Sequence, residues 1–284
     1  MKLAVLLTCR NRREKTLGCL RALFAGKFSI PHRFDVLLLD DGSTDGTVAA
    51  ISAEFPAVEI VLGDGNLFWN RAMHQLFQLA LHRGYDAYLW LNDDTLLYPD
   101  ALERMIAAAR ELHKRLGHPV IMVGTTVDID SGMATYGGSV RKRWWKPISF
   151  ELVTPGDVPI RCDAMNGNCV LVPHEVAAQV GNIDPAFEHA MGDTDYALRA
   201  ANAGLSVWIA PGVVGFCAQN SACGSFADQA LPLWKRLKSM MDPKGLPLRS
   251  WLVFTRRHAG PAWPLFWIYP YAKVVLSSLF TKRI

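Results

Sequence analysis

A chain of 284 residues, half of them hydrophobic and a fifth charged, can bury one large core or two modest ones. It carries no low-complexity run and no repeat with a period of roughly 20–50 residues, which excludes disordered, collagen-like and solenoid architectures. The net charge of +4 hides a division: residues 1–228 hold 20 Lys and Arg against 25 Asp and Glu, whereas residues 229–284 hold 10 basic residues against Asp242 alone.

In chain order, short apolar runs alternate with helical stretches. Lys2–Leu7 reads as a strand, followed by a helix near Lys15–Ala25. Its apolar run Leu3–Leu7 is too short for a secretory signal, and Arg10, Arg12 and Arg13 follow at once, so a buried first strand is expected. Then come strand Asp35–Leu39 and a helix near Thr47–Phe55, strand Glu59–Leu62 and a helix near Ala72–His82, strand Ala87–Leu91 and a helix near Asp100–Leu116, and strand Val120–Val123. Strands apolar along their whole length and separated by helices predict βαβ units: an α/β fold with a mostly parallel central sheet and helices on both faces. Between Asp128 and Cys162 the Gly and Pro content predicts short strands and loops around the run RKRWWK, Arg141–Lys146, which reads either as part of an acceptor loop or as a solvated hairpin. Cys169–Pro173, helices from His174 to about Val180 and near Thr194–Ala203, and strands Ser206–Ile209 and Val213–Phe216 complete the body. Six cysteines without a CxxC pair argue against zinc-ribbon and thioredoxin-type sites and for free thiols.

A boundary near Asp228 divides a domain of residues 1–228 from a basic, aromatic, helical extension of residues 229–284. Ala259–Phe280 has a single charge, Lys273, and approaches the length of a membrane span. Pro261, Pro264 and Pro270 are expected to break it, leaving about ten residues for an unbroken helix. Trp251, Trp263, Trp267, Tyr269 and Tyr271, flanked by Arg256, Arg257, Lys282 and Arg283, predict instead a segment lying at an anionic membrane face. The alternatives are a lid on the body, a homodimer interface or a true span. No recognition motif supports a nucleic-acid partner.

Two acidic clusters sit where strands end. Val36–Leu39 runs into Asp40 and Asp41, and Ala87–Leu91 runs into Asn92, Asp93 and Asp94. Ligands of open parallel sheets bind beyond the carboxyl ends of strands, and adjacent carboxylates are unfavourable unless water, a proton or a cation compensates. A polar turn and a helix cap explain either cluster alone; two in one sheet point to a site.

VLLLDDGSTDGT (Val36–Thr47), LWLNDDTLLYPDAL (Leu89–Leu102) and HAMGDTDYALRAANAG (His189–Gly204) together resemble the family 2 glycosyltransferases, which have the A-type nucleotide-sugar fold. The likeness covers roughly Lys2 to Asn220, and GDGNLFW (Gly63–Trp69) and NGNCVLVP (Asn166–Pro173) draw it toward a rhamnosyltransferase-like branch. The resemblance implies that Thr8, Arg10, Asp40 and Asp41 hold the nucleoside, and that Asn66 and Arg71 lie near the donor's sugar and phosphates. It also implies that Asp94 ends a metal-binding motif begun by Asn92, with Asp93 between them, and that the metal is Mg²⁺ or Mn²⁺. Asn92 removes one charge from that motif and loosens the expected metal dependence. Asp193 falls at the general base, with Gly192 where many relatives carry an acid. Asp195 reads as structural, paired with Arg199. The resemblance also implies a histidine ligand in the stretch Val213–Ser225, which holds none, so either Cys217, Gln219 or His189 serves there or nothing does.

The implied activity is inverting transfer of a hexose or deoxyhexose from a nucleoside-diphosphate sugar to a saccharide acceptor in cell-surface polysaccharide or lipopolysaccharide synthesis, and a membrane-attached tail would suit a lipid-linked acceptor. The implied location is the cytoplasm, peripheral on the inner face of the membrane. The rival is a non-catalytic nucleotide- or saccharide-binding relative, raised by Gly192 and the missing histidine. A nucleotidyltransferase lacks its glycine-rich loop here, and a dehydrogenase lacks the full dinucleotide fingerprint.

Overall fold

The computed structural model describes residues 1–27, 33–221 and 223–281, and it contains the expected alternation. The first half is β1 (Lys2–Cys9), α1 (Arg13–Phe24), β2 (Arg33–Asp40), α2 (Thr47–Glu54), β3 (Glu59–Leu62), α3 (Phe68–His82) and β4 (Ala87–Leu91). Next come β5 (Leu96–Leu97), α4 (Ala101–Leu116) and β6 (Val120–Val127). The Gly- and Pro-rich stretch supplies five short strands: β7 (Ala134–Tyr136), β8 (Gly138–Arg141), β9 (Phe150–Leu152), β10 (Ile160–Cys162) and β11 (Ala164–Met165). The body closes with β12 (Cys169–Pro173), α5 (His174–Val180), α6 (Gly192–Asn202) and β13 (Ser206–Phe216), and the tail forms α7 (Leu233–Met241), α8 (Leu248–His258) and α9 (Trp263–Thr281).

The main sheet has the order β10-β13-β6-β12-β4-β1-β2-β3, with β5 on β13 and β7 on β6. β1 pairs in parallel with β2 and β4, β2 with β3, and β6 with β13, while β12 runs antiparallel between β4 and β6. Alternation along β1 explains the layers. Leu3, Val5 and Leu7 enter a core with Leu17 and Leu20 of α1, Ile51 of α2 and Met105 of α4. Ala4 and Leu6 face the opposite core, with Met73 and Leu76 of α3, Val176 of α5 and Tyr196 of α6. Apolar strands covered on both sides are what made the class legible.

Three elements differ from expectation. Helix α3 begins at Phe68, four residues early, because the Asp41 carboxylate accepts the N–H groups of Leu67 and Phe68 at 3.0 and 3.1 Å and so caps the helix from another strand. Strand β13 is one element, carried through Pro211 and Gly212 by shifts of register against β6. Helix α9 runs unbroken through Pro264 and Pro270. Pro264 lies in the first turn, where its missing N–H has no helical partner, and Pro270 removes one bond from a helix that packing on α7 and α8 holds in place. Among the described residues, no helix is long and apolar enough to cross a membrane.

The tail packs on the body. Trp251 and Phe254 of α8 share a hydrophobic cluster with Phe187 and Leu198. Buried Asp195 accepts hydrogen bonds from Arg199 Nε at 2.8 Å within α6, and from Arg257 Nη1 at 2.6 Å and His258 Nε2 at 2.8 Å in α8. Burial works to raise the Asp195 carboxyl, but the bonds from His258, Arg199 and Arg257 override it and hold the group below the ordinary carboxylate range. Several tail groups expected at lipid therefore face inward. Trp251 Nε1 donates to the Trp267 carbonyl at 3.1 Å, Tyr271 Oη to the Leu246 carbonyl at 2.7 Å, and Arg257 is spent on Asp195 and Asp184. Lys282 and Arg283 lie outside the described residues.

Candidate active site

Because β1, β2 and β4 run the same way, their carboxyl ends open together onto a cleft of about 720 Å³. Thr8, Arg10, Asp41, Asn92, Asp93, Asp94, His189 and Asp193 all line it, so carboxylates from three separated segments share one space. Asp40, Asn66 and Arg71 do not line it. Asp40 is turned inward, accepting the Ser43 N–H at 2.8 Å and shaping the turn after β2. Asn66 is exposed beyond the rim. Arg71 is held on the outer side of α3 by Glu188 at 3.1 Å and the Pro185 carbonyl at 3.3 Å, away from the position expected for a phosphate ligand.

At the ends of β1 and β2, Asp41 accepts the Gly65 N–H at 2.8 Å in addition to those of Leu67 and Phe68, and Arg10 donates to the Gly65 carbonyl. Asp41 and Arg10 thus fold the GDGNLFW segment against the ends of β1 and β2. Beside them, Arg12 bridges the second acidic cluster: Nη1 lies 3.2 Å from Asp93 Oδ1, and Nη2 bonds Asp94 Oδ2. Asn11, whose φ of 50° is left-handed, turns the chain toward that cluster, and its side chain accepts the Thr44 N–H at 2.7 Å. Burial pushes the Asp93 carboxyl up to about 7 against the pull of Arg12. The amide oxygen of Asn92 accepts Trp69 Nε1 at 2.8 Å.

Among the described residues, no group of three or more His, Cys, Asp or Glu side chains gathers to hold a metal ion. The carboxylate pair nevertheless demands a cation, and the guanidinium supplies it. Such a pair fits a divalent ion that takes one or two protein carboxylates and completes its shell from phosphate oxygens and water. Cys217 Sγ donates to Asp94 Oδ1 at 3.5 Å, and burial pushes its thiol up to about 12. Gln219 is exposed and does not line the cleft. His189 does line it; burial, with Lys244 and Arg12 nearby, lowers its ring to about 4 and leaves a neutral imidazole with nitrogen lone-pair capacity.

Asp193 stands in the first turn of α6, its oxygens accepting the Gly167 N–H at 2.8 Å and the Thr194 N–H at 2.7 Å. Burial raises its carboxyl, and these two bonds oppose the rise. Gly192 beside it is a spatial requirement, since a Cβ there would fall on Oδ1 of buried Asn70, whose amide is anchored by the carbonyls of Asp184 and Phe187 at 2.8 and 2.9 Å. The position where the resemblance implies an acid therefore has no room for a side chain here.

The sequence offered the opposite wall only as alternatives, a lid from the tail and an acceptor loop around RKRWWK. Ile148 and Phe150 from the β8–β9 hairpin, and Lys244, Trp251 and Phe254 from the tail, line the same cleft as Asp193. Arg12 and these tail residues carried only the signals of charge and aromaticity in the sequence, with no spacing to tie them to strand ends about 80 to 240 residues away.

Comparisons with known proteins agree with this architecture. The family model described as Glycosyl transferase family 2 matches residues 4–156. The chain is 29% identical over 196 residues to the N-acetylglucosaminyl-diphospho-decaprenol L-rhamnosyltransferase of Mycobacterium tuberculosis, a match covering 61% of this chain and 63% of that protein, less than two thirds of its length. Among solved structures it is similar to a mannosyltransferase of Pyrobaculum calidifontis in complex with GDP-Man and Mn²⁺, with a TM-score of 0.52 and 16% identity over 89% of this chain and 64% of that one. It is also similar to GalNAc-T7 with UDP, GalNAc and Mn²⁺, with a TM-score of 0.56 and 10% identity over 78% of this chain and 45% of that one. These two structures share the A-type fold, and the mycobacterial relative is a rhamnosyltransferase by name. Since the family model spans more than half of the sequence and includes both strand-end acidic clusters, the chain belongs to glycosyl transferase family 2.

Proposed function

We propose that the chain is an inverting glycosyltransferase moving a hexose or deoxyhexose from a nucleoside-diphosphate sugar to a saccharide hydroxyl, in the synthesis of a cell-surface polysaccharide or lipopolysaccharide. Rhamnose is the sugar suggested by the mycobacterial relative's name. The observation that carries the reading is the meeting of Asp41, Asp94 and Asp193 in one cleft. Thr8, Arg10 and the Asp41 turn receive the nucleoside at the ends of β1 and β2. Asp94, with His189 as a second candidate, would hold Mg²⁺ or Mn²⁺, which supplies charge neutralisation to the departing diphosphate. Arg12, already in the cleft, adds a fork of N–H donors for phosphate oxygens.

Asp193 accepts the proton of the attacking hydroxyl. Its raised pKa brings it nearer neutrality, where a general base combines an ionised form with a useful driving force. Inversion follows from the family resemblance, as a single displacement with Asp193 as the base. The confined space at Gly192 accounts for the missing acid there, which removes one motive for a non-catalytic reading.

The hairpin and tail wall, Phe150, Trp251, Phe254 and Lys244, is the acceptor side. The outer face of α9 is apolar, with Leu265 70% and Tyr269 61% exposed and Ile268, Val275 and Leu276 between and beyond them. That face suits a peripheral position on the cytoplasmic membrane surface, where a lipid-linked acceptor of the kind named for the mycobacterial relative would be displayed.

The test is Asp193→Asn, assayed by nucleoside-diphosphate release with a donor and acceptor the wild type accepts. The expected loss is about 10²–10⁴-fold, with thermal stabilisation by the nucleoside diphosphate retained. The wild-type rate should fall on the acid side at a pH above the ordinary aspartate value, because protonation of a raised carboxyl removes the base. Undiminished release by the variant would refute the assignment.

A further inference from the structure

The loop between β8 and β9 places Arg141, Lys142, Arg143 and Lys146 around two adjacent tryptophans, with no acidic residue from Arg141 to Ser149. Trp144 is 87% exposed and Trp145 50%. Their rings meet edge to face at 5.6 Å, and the Arg143 guanidinium lies 5.1 Å over Trp145. The backbone beneath them is fixed. Lys142 N–H donates to the Ser149 carbonyl at 2.9 Å, Lys146 N–H to Arg143 at 3.0 Å, Ser149 N–H to Lys146 at 3.1 Å, and Arg141 N–H to the Asp163 carboxylate at 2.8 Å. Two large rings are thus held in water by a preorganised turn, where ordinary packing would bury them.

The base of the same hairpin faces the cleft. Ile148 and Phe150 line it and pack in the cluster that holds Trp251, Trp267 and Tyr271 of the tail. The tip therefore extends from the wall that α8 and α9 complete, on the acceptor side.

We propose that the Trp144–Trp145 tip is a membrane anchor: its rings enter the headgroup layer of an anionic bilayer, and Lys142, Arg143 and Lys146 pair with lipid phosphates. Charge complementarity selects this occupant. A saccharide platform surrounds its ring with carboxylates and amides for hydroxyl groups, whereas this tip offers only cations beside indole, the pairing suited to an anionic interface. The proposal rests on the membrane-facing part of the reading above and is independent of its transfer chemistry.

The experiment is co-sedimentation of the full chain with phosphatidylcholine vesicles with and without phosphatidylglycerol. The wild type should bind the anionic vesicles. Trp144→Ser/Trp145→Ser, and separately Lys142→Gln/Arg143→Gln/Lys146→Gln, should weaken binding by about tenfold or more while turnover on a water-soluble saccharide acceptor is unchanged. A wild type that ignores anionic vesicles, or a tryptophan variant that binds them undiminished, overturns the anchor. Intact vesicle binding with lost soluble-acceptor turnover overturns it too, and makes the tip an acceptor loop. A wild type that binds vesicles as described but turns over no donor refutes the transfer reading and leaves the anchor standing.

Discussion

Arg12 occupies the place where a cation on Asp94 would sit. One guanidinium spans two carboxylates with separate N–H groups, while Lys15 stands 4.0 Å from Asp94 as a weaker second cation. Arg12 holds Asp94 Oδ2 in direct contact whereas Lys15 stays at 4.0 Å, so a divalent ion would compete with the Arg12 fork for that oxygen. Arg12→Gln should consequently bind Mn²⁺ about tenfold more tightly than the wild type in nucleotide-free protein, a change of ~1.4 kcal/mol read by titration calorimetry or the free-ion resonance signal. Addition of a nucleoside diphosphate should narrow the gap, since the phosphates give the displaced guanidinium a new partner. Equal or weaker Mn²⁺ binding by the variant would mean that the arginine helps to hold the ion. That Asp41 and Asp94 sit at the cleft was legible from strand ends and acidic runs, and Asp193 from the resemblance of its motif; Arg12 was not, because its partners are some 80 residues distant and nothing sets it apart from its neighbours Arg10 and Arg13.

Helices α6 and α8 are joined by a charge network whose centre has no access to water. Asp195 is fully buried and serves Arg199, Arg257 and His258 at once, and Arg257 also reaches Asp184 at 2.8 Å. The i, i+4 spacing made the Asp195–Arg199 pair readable within one helix. The bonds from α8 were hidden, because no local rule connects residue 195 to residues 257 and 258. Removing the carboxylate leaves three donors around a buried void, so Asp195→Ala should cost ~3–5 kcal/mol of unfolding free energy in a denaturant titration. Arg257→Ala, which leaves two donors on Asp195 and itself is partly exposed, should cost clearly less. Similar losses for both variants would show that the network's energy lies in the arginine's packing and not in neutralising Asp195. The same contrast between local and distant explains α3, whose start is capped by Asp41 from another strand, and α9, where proline read as a breaker is carried by tertiary packing.

Across the whole molecule, the cleft divides by origin. One wall comes from the parallel half of the sheet, β1, β2 and β4, whose pattern fixed both the α/β class and the direction in which the acidic clusters face. Its other wall comes from the β8–β9 hairpin and the basic tail, segments whose composition announced an interaction but whose docking onto α6 depends on shape and on the Asp195 network. This division predicts separable kinetics. Trp251 stacks on Phe254 at 5.7 Å, packs in the cluster with Phe187 and Leu198, and lines the cleft far in sequence from the Asp41 turn, so truncating it alters the tail wall and its docking but not the Asp41 turn. Trp251→Ala should raise KM for the saccharide acceptor by about tenfold or more, within the ~1–3 kcal/mol expected for losing one ring contact, and leave KM for the donor within about twofold. Trp251→Phe, which keeps an aromatic ring but loses the bond to the Trp267 carbonyl, should recover most of the acceptor KM. If the donor KM rises as much as the acceptor KM, the tail supports the whole cleft, and the division into two walls of separate function fails.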